Sequence, residues 1–479
     1  MTAVADSAAP SAETNIIELP LLTHRGAHST RARETVYGVD GRPLASLSLA
    51  PDLLVSQTLL AQRRAASLPA HERAERLAEA SRRFLDDRLG GLSFAEHCRH
   101  VNRVSGHNVP LTERMSRAVA VAIAEAPSRA DRARPNGSLR SWREVTEGAG
   151  SGIWVRRGET LAAVLSGNAP TIQSGWLQAL ALGYRVAVRP SRREPFTAHR
   201  TVLALRAAGF PATSAVCLPS THAGVPTLLR RAELALAYGG DDIASRYGTS
   251  PNVKVAGPGR SKTLVTRDHV SSGTVDVVAH SVAALSGAAC VNTTAVLVEG
   301  DHLRFARDLA GTLTAQADGL RTTEGHLGPR VRQETADALI GYLERNASRA
   351  HAEIPLKEVV TPHPDGGVVL GPAVFTVTDP YDSLLAAELP FPCVWVAPWS
   401  RADGVGPLRD SLIVNAITGD TDLVAALLSE PGVGNVYVNT PTTHSDGNLP
   451  HEDYIGDFLM RNKAVARDLA PRDAERAGR

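Results

Sequence analysis

Ser286-Gly287-Ala288-Ala289-Cys290-Val291-Asn292-Thr293-Thr294 lies between an apolar stretch, Val277 to Leu285, and a strand-forming run, Ala295-Val296-Leu297-Val298. The segment puts one cysteine on a small-residue turn between a helix and a strand. Small neighbours let a substrate approach, and the turn lets the sulfur face a cleft. Backbone N–H groups at such a turn lower a thiol pKa and can hold an oxyanion, which suits a nucleophile. A buried cysteine acting as a small hydrophobe is the competing reading of this segment taken alone.

The chain has 479 residues, a length that suggests about three domains of roughly 150 residues each. Its 43% hydrophobic content is ample for sizeable cores. A net charge of +1 argues against a nucleic-acid or acidic-membrane partner. The four cysteines, Cys98, Cys217, Cys290 and Cys393, form no CxxC and suggest neither a disulfide framework nor a zinc site. A reducing, cytoplasmic setting fits. Met1 to Thr14 lacks the basic start and apolar core of a signal peptide, and no stretch has the length of a membrane span. Lysine occurs only at 254, 262, 357 and 463, so 47 of the 51 basic residues are arginine, which reads as codon bias.

Working outward, residues 1–15 read as a disordered tail. Arg63 to Arg88 and Leu111 to Ala126 read as amphipathic helices with solvated charged faces. Pro135-Asn136-Gly137 is turn chemistry and Leu139 to Val145 alternates, so residues 132–154 read as a hairpin leaving the domain body. From residue 160 strands and helices alternate. Strands are expected at Leu161–Leu165, Arg185–Arg189, Ser214–Leu218 and Leu234–Tyr238, with Thr263–Val265 closing the series. Helices are expected up to Leu182, at Pro195–Ala208 and at Val225–Arg231. Such alternation implies βαβ units and a mostly parallel sheet, with functional loops at the strands' carboxyl ends. Asn168, Arg189 to Arg193 and Gly239-Gly240 then share one edge. After Cys290 a second α/β region follows, with strands at Ala295–Val298, Cys393–Val396, Leu412–Val414 and Val436–Val438.

Arg189-Pro190-Ser191-Arg192-Arg193 ends a strand, and guanidinium groups there suit a phosphate. In dinucleotide sites an acidic residue near the ribose selects NAD and an arginine selects the 2′-phosphate of NADP, so Arg192 and Arg193 point to NADP. Codon-biased surface arginine is the competing reading. Gly239-Gly240 is a glycine turn where a backbone can approach a cofactor. No GxGxxG, P-loop or metal constellation occurs, and no partner of His280 is identifiable from the sequence, so it reads as a structural residue rather than a base.

These loops, in this order, resemble the aldehyde dehydrogenase superfamily over about residues 145–440. The resemblance implies an α/β fold with two parallel-sheet domains, one for the cofactor (16–131 and 155–270) and one catalytic (271–440). It adds an oligomerisation element with a β-hairpin and the C-terminal tail (132–154 and 441–479). It implies Cys290 as nucleophile and Asn168 as the oxyanion amide. Arg189 replaces the family's ribose-holding lysine, within a cofactor site that includes Ser191, Gly239, Gly240 and Gly257. Arg192 stands where the NAD-selecting glutamate would be, which favours NADPH. Glu388-Leu389-Pro390-Phe391-Pro392 is similar to the loop whose glutamate holds the nicotinamide ribose, 98 residues after Cys290.

One departure matters. Members that hydrolyse the acyl-enzyme carry a base in a Glu-Leu-Gly-Gly-Lys segment. Here the matching stretch is Val255-Ala256-Gly257-Pro258-Gly259-Arg260, with Ala256 at the glutamate position, 34 residues before Cys290. Without that base an acyl thioester should exchange with a thiol rather than hydrolyse. The loops look closest to the acyl-CoA reductases of the LuxC type. The resemblance therefore implies NADPH-dependent reduction of an acyl-CoA or carrier-protein thioester to an aldehyde, by a homodimer or homotetramer. The alternatives are an aldehyde-oxidising dehydrogenase with its base from elsewhere, a reductase of acyl phosphates, and a silent scaffold on the same fold. Asp268, the acid nearest in sequence, lies beyond a strand and is no ready substitute.

Overall fold

The computed structural model describes residues 16–146, 150–320 and 325–466. The expected N-terminal tail, 1–15, lies outside these residues, as does the chain beyond 466. Two seven-stranded sheets carry the molecule. In the first, five parallel strands run in the order Val253–Ala256, Leu234–Tyr238, Thr160–Val164, Arg185–Arg189, Ala215–Cys217. Leu21–Thr23 and Gly26–His28 extend it in antiparallel fashion. The four inner parallel strands are apolar in their interiors because helices cover both faces. Leu161, Ala163, Val186 and Val188 face one core with Trp176 and Leu177, while Ala162, Val164 and Ala187 face another with Leu228.

The earliest central strand, Thr160–Val164, is flanked by Arg185–Arg189 on one side and Leu234–Tyr238 on the other. The chain reverses direction across the sheet there. That is the switch point at which open α/β sheets bind ligands, outside the strands' carboxyl ends. Asn168 and Gly239-Gly240 follow the two strands that flank it.

The helix Val109–Asp131 supports this edge. Asn108 caps it by accepting from the Leu111 N–H at 2.8 Å, and Pro110 sits in its first turn. Leu111, Met115, Val119, Ile123, Ala126 and Ala130 recur at helical spacing and are buried. The expected long helix from Arg63 is two helices, Asp52–Arg64 and Ala70–Asp86, because Pro69 cannot continue the first.

The second sheet runs His351–Ala352, Ala373–Thr376, Cys393–Trp399, Thr293–Glu299, Ser261–Val265, Ser411–Ile417, Val433–Val438, and is parallel apart from its first strand. Thr263–Val265, expected to close the first series, belongs here instead, between Thr293–Glu299 and Ser411–Ile417. The crossing therefore comes at Gly257–Arg260, ahead of the expected boundary at 270. A buried strand reads alike in either sheet, so only its partners reveal where it goes.

The expected local hairpin at 132–154 is a second correction. Gly150–Arg156 pairs antiparallel with Met460–Ala466, more than 300 residues away. Leu139 makes only a single bridge to Ile153, and Trp142–Glu144 is a 3₁₀ turn. No helix among the described residues is long and apolar enough to cross a membrane.

Candidate active site

The chain leaves the carboxyl end of the first sheet at Ala256 and enters the amino end of the second at Ser261. The outgoing loops of the first sheet therefore meet the incoming loops of the second. Cys290 precedes the strand Thr293–Glu299 and Glu388 precedes Cys393–Trp399, so both lie at this junction.

The cysteine turn is held from several sides. Leu285, Ser286 and Gly287 have φ of 55°, 58° and 65°, three successive residues in the left-handed region. Such backbone costs a non-glycine residue about 1–3 kcal/mol and persists only where the surroundings impose it. At Gly287 a Cβ would stand 2.3 Å from the Pro392 nitrogen, so the cysteine turn and the Glu388 loop touch through backbone. Asn292 is buried and locks the turn internally. Its amide donates to the carbonyls of Ser281 (3.0 Å), Val282 (3.3 Å) and Ala284 (2.6 Å), and its Oδ1 accepts from the Ala289 N–H at 2.9 Å. The Cys290 carbonyl accepts from the Ser261 hydroxyl at 2.9 Å. A Cβ on Gly259 would lie 1.8 Å from that same oxygen, so glycine is needed where the linker passes.

Asn168 stands at this turn. Its amide donates to the Ala288 carbonyl at 3.2 Å, Ser166 Oγ donates to its Oδ1 at 2.6 Å, and its own carbonyl meets His107 Nε2 at 2.9 Å. His107 is buried and was not singled out in the sequence, where it is one histidine among sixteen. Glu388 accepts from the Arg260 N–H at 2.8 Å. Burial raises its pKa, against the pull of the Arg260 and Gly259 N–H groups. Ala256 ends its strand with a bare methyl.

A further residue came from far along the chain. His451 Nε2 lies 3.4 Å from Cys290 Sγ, across 161 residues of sequence. It sits on the segment that leads from the second sheet to the ribbon strand Met460–Ala466. Lys254 anchors that segment, with Nζ 2.6 Å from Asp453 and 3.4 Å from Glu452. Burial pushes the Cys290 thiol up to about 12, with the carboxylates of Glu388 and Glu452 adding to it. Burial and then Lys254 hold His451 below the usual imidazole value. At neutral pH the pair is thiol and neutral imidazole. No signal in the sequence marks His451.

The expected cofactor residues gather beside this site. Gly167 and Ser191 touch, since a Cβ on Gly167 would stand 2.5 Å from Ser191 Oγ. Arg189 is buried. One Nη donates to the Ser220 carbonyl at 3.0 Å, while its Nε has no partner. Arg192 is paired with Glu34 at 2.6 Å, a contact invisible in the sequence because Glu34 arrives on the N-terminal strand Arg33–Tyr37. The charges of Arg189, Arg192 and Arg193 all bear on His222. Gly240 and Gly257 open onto free space, and the Gly239 N–H donates to the Ala256 carbonyl at 3.1 Å. The Gly257 N–H lies on the Glu452 carboxylate. Arginines at the carboxyl edge of the sheet, one of them with an unpartnered guanidinium N–H, and glycines where a backbone can come close are chemistry that suits a dinucleotide. Among the described residues no group of three or more histidine, cysteine or acidic side chains could hold a metal ion.

With this geometry in view, residues 52–452 match the family model described as Aldehyde dehydrogenase family. The chain belongs to the aldehyde dehydrogenase family. Solved aldehyde dehydrogenases share its fold. Gamma-glutamyl-gamma-aminobutyraldehyde dehydrogenase from Burkholderia cenocepacia superposes with a TM-score of 0.80 at 18% identity, over 95% of this chain and 97% of that one. KauB from Pseudomonas aeruginosa gives 0.80 at 18%, over 94% and 96%. An NAD-dependent aldehyde dehydrogenase from Sinorhizobium meliloti gives 0.80 at 15%, over 96% and 97%. No curated protein sequence matches the chain. The chain is an oxidoreductase of the aldehyde dehydrogenase superfamily.

Proposed function

We propose that this aldehyde dehydrogenase family member reduces an acyl thioester, carried on CoA or on a carrier protein, to an aldehyde with NADPH. The observation that carries the reading is Ala256. The strand end beside the cysteine turn bears a methyl where a hydrolysing relative would need a carboxylate to activate water. A thiol-for-thiol exchange at Cys290 needs no such base.

In the first half, the Cys290 sulfur bonds to the thioester carbonyl carbon and the bond to the departing thiol breaks. The Asn168 amide turns from the Ala288 carbonyl to the oxyanion, together with the Cys290 N–H. Arg189, Arg192 and the glycine turns would hold the adenosine and phosphates, and Glu388 the nicotinamide ribose. NADPH bound there supplies a hydride equivalent for the acyl carbon. In the second half the Asn168 amide again holds the oxygen's charge, and the sulfur then departs as the carbonyl reforms. Overall, a thioester, NADPH and a proton become an aldehyde, a thiol and NADP⁺.

A second reading has its own support. The solved relatives named above are aldehyde dehydrogenases, and the same Cys290–Asn168 pair would serve oxidation of an aldehyde to an acid. His451 beside the sulfur would then have to activate water. Purified protein mixed with NADPH and a panel of acyl-CoA thioesters separates the two. Loss of nicotinamide absorbance with aldehyde trapped, abolished in Cys290→Ala, supports the reductase. Inertness toward every thioester, together with NAD(P)⁺-dependent conversion of free aldehydes to acids, would overturn it.

A further inference from the structure

We propose that His451 is the acid–base partner of Cys290, taking the thiol proton as the sulfur attacks and returning it to the departing group. The leaving thiol rests on the thioester reading above; the pair itself does not.

The argument starts at the sulfur. Cys290 is partly buried, burial disfavours its thiolate, and the negative charges of Glu388 and Glu452 add to that. With burial and then both carboxylates disfavouring the thiolate, attack requires a base at the sulfur itself. Both carboxylates face elsewhere. Glu388 accepts from the Arg260 N–H, and Glu452 faces Lys254 and the Gly257 N–H. His451 Nε2, 3.4 Å from Sγ, is the ring nitrogen in contact with the sulfur.

The ring is also placed. The His451 carbonyl accepts from the Asn435 side-chain amide, on the edge strand of the second sheet. The next two residues are tied to Lys254, on the edge strand of the first sheet. His451 thus straddles the junction at which the site forms. Burial and then Lys254 disfavour a charged imidazole, which keeps the ring neutral and able to accept.

The proton balance closes. As the sulfur–carbon bond forms, the thiol proton passes to Nε2. As the carbon–sulfur bond to the leaving group breaks, the imidazolium protonates the departing thiolate and returns to neutral imidazole. The single proton consumed in the reductive half enters through the same ring when Cys290 departs from the aldehyde carbon. Ala256 and His451 are then linked: one removes a water-activating carboxylate, the other supplies a base directed at sulfur.

The test reads the thiol without any substrate. Alkylation of Cys290 by iodoacetamide, followed by mass spectrometry across pH, would be compared in wild type, His451→Gln and His451→Ala, with NADPH binding as the check on folding. Cys98, Cys217 and Cys393 are buried and give little background. Both variants should alkylate at least about tenfold more slowly near pH 7, and turnover should fall by about 10²- to 10⁴-fold, the range for general acid–base groups. Added imidazole should restore alkylation in His451→Ala, because the small ring can occupy the vacated space. Equal rates in wild type and variants, or slowing that imidazole does not reverse, would overturn the pair. A wild type inert toward every acyl-CoA, yet with His451-dependent alkylation, would defeat the thioester reading and leave the pair standing.

Discussion

If Arg192 engages a cofactor 2′-phosphate, as proposed, Arg192→Gln should weaken NADPH selectively. Arg192 lies beyond the strand Arg185–Arg189 at the switch point, with a side chain 29% exposed and paired to a Glu34 carboxylate that is 36% exposed, at 2.6 Å. A hydrogen bond to a charged group is worth about 1.5–3 kcal/mol. A 2′-phosphate engaging Arg192 must loosen the Glu34 pair, and a pair this exposed is worth up to about 1 kcal/mol. The net advantage of Arg192 to NADPH is then about 0.5–3 kcal/mol, or about 2- to 150-fold in Kd. NADH, with no 2′-phosphate, should change less than about twofold by the same conversion. Glu34→Gln should act oppositely. It frees Arg192, removes a repelling charge and tightens NADPH by up to about fivefold, with the gain shrinking in high salt. Fluorescence titration of both cofactors against wild type and the two variants is the assay. Equal weakening of NADPH and NADH by Arg192→Gln would refute the reasoning, because it would make Arg192 a brace for the Glu34 strand rather than a reader of phosphate.

Three further outcomes follow from the same contacts. Asn292→Ala removes the buried amide that answers three carbonyls and the Ala289 N–H, and should cost about 3 kcal/mol, read as an earlier guanidinium midpoint. Gly259→Ala puts a methyl 1.8 Å from the Cys290 carbonyl and must displace Cys290; turnover and Cys290 alkylation should both fall by about 100-fold while NADPH still binds. Lys262 is buried, with Nζ donating to the Arg409 carbonyl at 2.6 Å and Ser411 Oγ at 2.9 Å, and burial lowers it to about 8 from an ordinary value of 10.5. Between those values the unfolded chain binds the extra proton, so stability from this site rises with pH by up to about 3 kcal/mol and is complete above pH 10.5. Lys262→Met should lose that rise, and equal pH slopes between pH 8 and 10.5 in variant and wild type would contradict it.

Element identity was legible where it is local. Val225–Arg231 and Leu234–Tyr238 are read correctly because a covered parallel strand is a short apolar run and its helix repeats on a different period. The loop carrying Asn168 and the Cys290 turn could likewise be set at strand ends before any coordinates. Sheet membership was not legible. Ser261–Val265 is equally apolar in either sheet, and its place follows from hydrogen bonds to Thr293–Glu299 and Ser411–Ile417. The partner of Gly150–Arg156 is hidden for the same reason, since ladder bonds are made by backbone common to every residue.

The sequence by itself determined the chemistry available: a thiol on a small-residue turn, an amide on a strand-end loop and arginines that suit a phosphate; that Ala256 stands in place of a carboxylate is what the family resemblance implies. Periodicity and motif order carry that information because each is written in neighbouring residues. Tertiary structure alone decided what faces what. It set Glu34 against Arg192 and His107 against Asn168, and brought His451 to Cys290 from 161 residues away. Those contacts depend on how two sheets abut and how the C-terminal segment returns across them, and side-chain electrostatics act through space without regard to chain order.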